Sequence, residues 1–321
     1  MNILVTGGAG FIGSHVSKTL LSRGDSVVII DDFNDRYDPR LKEARVTHMF
    51  TDSPGQPVLV RGDITNQELL EQTIQEHSVE SIIHLAAWAA IPRSIESPLT
   101  YTHANVTGTA SVLEAARKNG VQKIVIASSS SVYGGITDLP FKEDMNIMRP
   151  ISPYAATKVA TEALAYTWHH LYGIPTTCLR FFTVYGPWGR PEMAPFAFTR
   201  AIDTEKEILL RGESTSRDFT YIDDIVQGVI ASLDTADKYH VYNLGEADGV
   251  PLPRMIAAFE QALGKKAIVK ITPLLPGELA VTLADISLAQ TDLGYKPTTS
   301  IEEGAKKFVE WYKEWHDQIF I

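Results

Sequence analysis

The chain has a single cysteine, Cys178, among 321 residues. One thiol excludes an intramolecular disulfide framework and any cysteine-cluster metal site, so no metal is expected; it fits a reducing compartment. Basic residues are outnumbered, with 29 Lys and Arg against 39 acids and a net charge of −10. Sequence-independent nucleic-acid binding needs a basic surface that displaces counterions, so that class is excluded, while a local pocket for an anion is not. No apolar run reaches the length that spans a bilayer, and no membrane partner is expected. The opening MNILVTGGAG runs straight into a strand without a basic leader or a cleavage site, which predicts a cytosolic protein. Low-complexity tracts and solenoid repeats are also missing. What remains is an ordinary globular composition, 44% hydrophobic and 21% charged, long enough for one or two domains.

Short apolar runs alternate with helical patterns through the first half. Strands are expected at 2–6, 26–31, 58–64, 81–87 and 123–130, with helices at 15–24, 66–77 and 106–120. Runs of this length, rich in Val and Ile, indicate a parallel sheet covered on both faces. That is a doubly wound α/β fold of Rossmann type, in which ligands gather at the carboxyl ends of the strands. After about residue 178 the alternation becomes irregular and proline more frequent. DFTYID and HVYNLG, flanking the helical DIVQGVIASL, read as returns to the sheet. TSIEEGAKKFVEWYKEWH reads as a helix with acids at its start and lysines later, as the helix dipole favours.

The first strand leads into TGGAGFIG, with Gly7, Gly10 and Gly13 at three-residue spacing before a helix. Glycine there permits a tight turn and lets a phosphate approach the backbone at a helix N-terminus. Asp31 ends the next strand, placed to accept hydrogen bonds from ribose hydroxyls and to repel a 2′-phosphate, which predicts NAD over NADP. Asp63, in GDI, is positioned either to hydrogen-bond adenine or to cap a turn. Asn105 opens a helix, where N-capping and an active-site hydrogen bond are both open. His84 reads as a packed core histidine. The resulting division is an NAD-binding domain of residues 1–178 with a return segment at about 219–246. A smaller, interleaved substrate domain takes 179–218 and 247–321.

SPYAATKVATEAL places Tyr154 and Lys158 four apart on one face of a helix. A phenol with a pKa near ~10 is a poor base at neutral pH. A lysine ammonium alongside and the positive ring of oxidised NAD are expected to lower that value, so that Tyr154 takes the proton from a sugar hydroxyl. ASSSSVYG ends the fifth strand at the same crevice and offers Ser129 to hydrogen-bond the reacting oxygen. RFFTVYGPWGR ends with Arg190 on a proline-stiffened turn, while Arg180, at the end of an apolar run, suits a structural salt bridge.

These motifs, with HLAA, RDFTYIDD and the GYKP-to-EWY tail, resemble the extended short-chain dehydrogenase/reductases. The likeness is to the nucleotide-sugar epimerase branch and covers essentially the full length. DDFNDRYDPRLKEAR and LRFFTVYGPWGRPEMAPFAFTRAI look most like the UDP-glucuronate 4-epimerase subgroup. The resemblance implies reversible C4 inversion of a UDP-sugar through a 4-keto intermediate on tightly held NAD, interconverting UDP-glucuronate and UDP-galacturonate. It implies NAD contacts from Phe11, Ile12, Asp32, Asn34, Ile64, Leu85, Ala86 and Ala87 beside the residues above. It also implies substrate contacts from Ser130, Thr183, Arg190 and Arg217, the last at the diphosphate, and a homodimer. Relatives that eliminate water carry Asp-Glu at the positions of Ser130 and Ser131, and decarboxylating relatives carry glutamate at Ser131; serine supplies neither acid. Oxidation at C4 of a glucuronate gives a β-keto acid, which loses carbon dioxide when the breaking bond aligns with the carbonyl. A guanidinium fork matches a carboxylate in two parallel hydrogen bonds and can hold it out of that alignment.

Two stretches depart from the subgroup. In WAAIPRS (88–94), Trp88 and Pro92 replace a glutamine and an arginine, and Arg93 either compensates or points to solvent. In LLPGE (274–278), Leu275 and Glu278 replace a glutamine and an aspartate near the uridine. The alternative is therefore a 4-epimerase of UDP-glucose or UDP-N-acetylglucosamine.

Overall fold

A computed structural model of the chain describes residues 1–212, 214–274 and 279–319, so Leu275 and Glu278 lie outside the described residues. The strands are β1 (Asn2–Thr6), β2 (Ser26–Asp31), β3 (Val58–Arg61), β4 (Ser81–His84), β5 (Lys123–Ser129) and β6 (Thr176–Phe181). They continue with β7 (Thr183–Tyr185), β8 (Glu207–Arg211), β9 (Ser216–Tyr221), β10 (Tyr239–Leu244), β11 (Gly249–Pro251) and β12 (Ile268–Thr272). Seven of them form one parallel sheet in the order β3-β2-β1-β4-β5-β6-β10. Successive residues such as Ile3, Leu4 and Val5, or Ile124, Val125 and Ile126, are all fully buried. Alternate side chains point to opposite faces of a strand, so both faces of this sheet are covered, and continuous apolar runs are what that arrangement needs.

The strands expected to reach 64 and 87 stop at Arg61 and His84. Beyond those points the chain leaves the sheet to wall a cleft. The first helix, Phe11–Arg23, begins four residues earlier than its apolar pattern suggested, directly on Gly10. DFTYID does not return to the main sheet. It belongs to β9, which pairs parallel to β7 and antiparallel to β11 in a separate three-stranded sheet. HVYNLG does return, as β10 beside β6. β6 runs three residues past 178, and all six of its residues are buried. β8 and β12 form a small parallel pair further out.

The C-terminal helix Ile301–Ile319 ties the second half down through aromatic contacts. Trp188 packs against Trp311 and Trp315 with ring centroids 5.4 and 5.0 Å apart, and Phe196 against Phe308 at 5.9 Å. Large rings at these separations supply both buried area and edge-to-face attraction. The turn after β7, which carries Arg190, is thereby anchored to the last helix. Among the described residues no helix is long and apolar enough to cross a membrane.

Candidate active site

The glycine loop is closed against its neighbours. Gly7 has φ +69°, and a Cβ there would lie 2.7 Å from Ala86 N; a Cβ on Gly13 would lie 2.2 Å from the carbonyl of Gly7. No side chain fits at either position, so the loop folds tightly onto the end of β4 and presents backbone at the start of the Phe11–Arg23 helix. Asp31 is buried at the end of β2, where its carboxylate accepts from the backbone N–H of Ala9 (3.2 Å) and Phe33 (2.9 Å) and from Lys42 Nζ (3.2 Å).

One cavity runs along the carboxyl ends of the strands. It is lined by Gly7, Gly10, Phe11, Ile12 and Gly13, by Asp31, Asp32 and Asn34, by Asp63 and Ile64, and by Leu85, Ala86 and Ala87. Ser129, Tyr154, Lys158 and Arg190 line the same cavity. Asp63 also caps its own turn, accepting from Thr65 N and Oγ1 at 2.8 and 2.9 Å. Asn105 does not line the cavity, and it caps no helix. It sits inside a helical segment, where its amide clasps the Trp88 backbone (2.7 and 2.9 Å) and Thr157 Oγ1 (2.9 Å), fixing the loop after β4. His84 is a satisfied core residue between Thr6 Oγ1 (2.7 Å) and Thr109 Oγ1 (3.1 Å), and burial pulls its pKa down to about 3.

Tyr154 is set by the helix Pro153–Tyr172, which Ser152 caps through its hydroxyl to the N–H of Ala155 at 3.2 Å. Burial pushes the phenol above its ordinary value, while the Ser129 hydroxyl and the Arg190 charge pull it back. The expected lowering by Lys158 is absent. Its ammonium is turned to the end of β5, donating to the Ala127 carbonyl at 2.7 Å, and burial brings its own pKa down to about 8. Spacing of four puts both residues on one helix face, while the Lys158 ammonium is engaged by a backbone carbonyl.

Beneath this trio lies a buried ion pair. Glu162, one turn beyond Lys158, accepts from Arg180 Nε and Nη2 at 2.9 and 2.8 Å and from Ser128 Oγ at 2.5 Å. Arg180 Nη1 donates to Tyr133 Oη at 3.0 Å, and Tyr133 donates to Asn243 of β10 at 2.6 Å. The structural salt bridge foreseen for Arg180 is therefore present, and it locks β5, β6, β10 and the catalytic helix together.

Arg190 reaches the cavity because its turn is held from two sides. Arg45, fully buried, donates from Nε and Nη2 to the Trp188 carbonyl at 3.0 and 2.6 Å, and from Nη1 to the Ala9 carbonyl at 3.2 Å. The glycine loop and the arginine turn thus share one guanidinium. Ser130, Thr183 and Arg217 do not line the cavity. Thr183 lies between Phe182 and Val184, which do line it. Arg217 lies against the carbonyls of Ser216 (3.1 Å) and Ala280 (2.7 Å). Arg36 and Lys42, which line the cavity, and Arg45, which braces two of its loops, are positions that sequence reasoning passed over. Their one signal was the charge density of DDFNDRYDPRLKEAR, which a solvated helix face explains equally well.

The description "NAD dependent epimerase/dehydratase family" belongs to the family model that matches residues 3–245. The chain belongs to this family. Among its relatives, this epimerase/dehydratase chain is 44% identical to the UDP-glucuronate 4-epimerase of Thermodesulfobacterium geofontis, over 97% of this chain and 96% of that one. It is similar to the UDP-glucuronic acid 4-epimerase from Bacillus cereus, solved in complex with UDP-glucuronic acid and NAD. That likeness has a TM-score of 0.91 at 35% identity and covers 98% and 99% of the two chains. A UDP-glucose 4-epimerase from Stenotrophomonas maltophila superposes equally well, TM-score 0.92, at 27% identity over 99% of both chains. Backbone shape alone therefore does not separate sugar specificities within the family; side chains must.

Proposed function

We propose that this chain is a UDP-glucuronate 4-epimerase that inverts C4 of the sugar reversibly through a 4-keto intermediate. The observation that carries the reading is the meeting of Ser129, Tyr154, Lys158 and Arg190 at one cavity whose other end is the glycine cradle with buried Asp31. The cradle fits a dinucleotide: it leaves no room for side chains where backbone must approach phosphate, and it sets a carboxylate where ribose hydroxyls would be received. Gly7, Gly10 and Gly13 would hold the diphosphate and Asp31 the adenosine ribose, with Asp32, Asn34, Asp63 and Ile64 around the adenosine. NAD held by these residues would supply the two-electron acceptor and donor for C4.

Tyr154 takes the proton from the C4 hydroxyl and returns it, with Ser129 hydrogen-bonding the same oxygen so that it stays in register while the sugar face changes. Lys158, fixed on the Ala127 carbonyl, adds a buried positive charge on the same face. Arg190 receives the C5 carboxylate and holds it out of alignment with the transient ketone. Ser130 and Ser131 supply no acid for elimination.

Residues 1–178 with 219–246 are assigned to the NAD-binding half and 179–218 with 247–321 to the sugar half, a division supported by the placement of six of the seven main-sheet strands. A homodimer is inferred through the helix Pro153–Tyr172, where Ala163 is exposed and Tyr166 and Leu171 are exposed at 52% and 60%, with Leu99 of the short helix Pro98–Thr102 exposed at 83%. The free buried Cys178 supports a cytosolic location.

Arg190→Ala tests the carboxylate assignment. Its kcat/KM for UDP-glucuronate should fall about 10²-fold, the cost of losing a charge-assisted pair, while NAD retention after purification is unchanged. Normal turnover with an unaltered KM would remove Arg190 from the site.

A further inference from the structure

Arg36 is a cation without a role in the reaction described so far. It is only 6% exposed and lines the same cavity as Tyr154 and Arg190. Nη2 donates to the Ala89 carbonyl at 3.0 Å, but Nε and Nη1 are buried with no hydrogen-bond partner. A buried charge with orphaned donors is costly, and such a group persists where something offsets it. The carboxylate beside it is Glu192, whose Oε1 lies 3.9 Å from Arg36 Nη2 and 3.7 Å from Arg190 Nη1. Both separations are too long for hydrogen bonds. One carboxylate oxygen, on a half-exposed turn residue, therefore sits loosely between two guanidiniums that come from opposite halves of the chain.

The departing loop supplies the second observation. Trp88 and Pro92 leave the segment after β4 short of one arginine, and Arg93 does not replace it. Its Nη1 donates to the backbone carbonyl of Arg36 at 2.9 Å, which secures the Arg36 segment from behind. The Ala89 carbonyl that Arg36 binds also accepts from Tyr101 Oη at 3.3 Å, and the Tyr101 ring centroid is 6.3 Å from that of Tyr154, so the cation borders the reacting end of the cavity.

We propose that Arg36 and Arg190 together receive the carboxylate of the uronate, and that Glu192 is an internal stand-in which the substrate's acid displaces. Arg36 is then a positioning and specificity residue that supplies, from the segment after β2, the charge the loop after β4 lacks. This rests on the uronate reading of the site.

The test is calorimetric binding of UDP-glucuronate and UDP-glucose to the NAD-loaded full chain, in wild type, Arg36→Gln and Glu192→Gln. The two ligands share nucleotide and diphosphate and differ in the acid. Arg36→Gln should weaken UDP-glucuronate by about 10–100-fold, the worth of a hydrogen bond to a charged group, and UDP-glucose by less than about twofold. Glu192→Gln should tighten UDP-glucuronate alone. Equal weakening of both ligands by Arg36→Gln would assign the residue to the diphosphate or to packing, and an unchanged uronate affinity would remove it from the site. If Arg36→Gln does not fold or hold NAD, Glu192→Gln decides, and an unchanged or weaker uronate affinity overturns the proposal. Wild type that binds UDP-glucuronate without inverting it would sink the epimerase reading while leaving this comparison of affinities intact.

Discussion

Arg180→Met should lower the free energy of unfolding by about 3–5 kcal/mol, because it leaves the Glu162 carboxylate buried without its cation. Arg180 and Glu162 are 3% and 5% exposed and joined by two parallel hydrogen bonds, so water cannot take over either half of the pair. Methionine fills the volume, which isolates the electrostatic loss from a cavity. The double variant Arg180→Met/Glu162→Met should recover most of the stability, since replacing a whole buried pair by apolar side chains is close to neutral. Denaturant unfolding of the three proteins measures both effects. A single variant within about 1 kcal/mol of wild type would show that the pair is as weak as a surface one. The pair also holds Ser128, next to Ser129, and shares a helix with Lys158, so the destabilised variant should lose turnover in step with its fold.

The second large effect concerns Tyr154. Tyr154→Phe keeps the ring that packs near Tyr101 but removes the hydroxyl proposed to pass the proton at the sugar oxygen. Its kcat should fall about 10²–10⁴-fold, the usual worth of general acid–base catalysis, with a much smaller change in KM. Lys158, the next titratable group on the same helix face, is held on the Ala127 carbonyl. A variant retaining a tenth of the wild-type rate or more would assign the proton transfer elsewhere.

Much of this site was readable from the residues alone. The glycine spacing and Asp31 are local features: a turn that admits no Cβ and a strand end that needs an acid are each set by a few neighbouring positions. Tyr154, Lys158 and Ser129 were readable because two strand ends and a capped helix converge at one edge of a parallel sheet. Other features were not local. DFTYID looks like any buried strand, and only long-range pairing with β7 and β11 places it in the smaller sheet. Arg36 and Arg45 occupy a segment whose charges suggest a wet helix face, yet both are buried against backbone carbonyls far along the chain. Asn105 looked like a cap or a ligand contact because its partners, Trp88 and Thr157, are distant in sequence.

The central claim is that a guanidinium holds the sugar's acid so that C4 turns over without loss of carbon. The most direct measurement is carbon NMR of UDP-glucuronate labelled at C6, incubated with catalytic amounts of the purified protein. The account predicts UDP-galacturonate with the label still in its carboxylate. Label released as carbon dioxide, or a UDP-glucuronate signal that never changes, would contradict it.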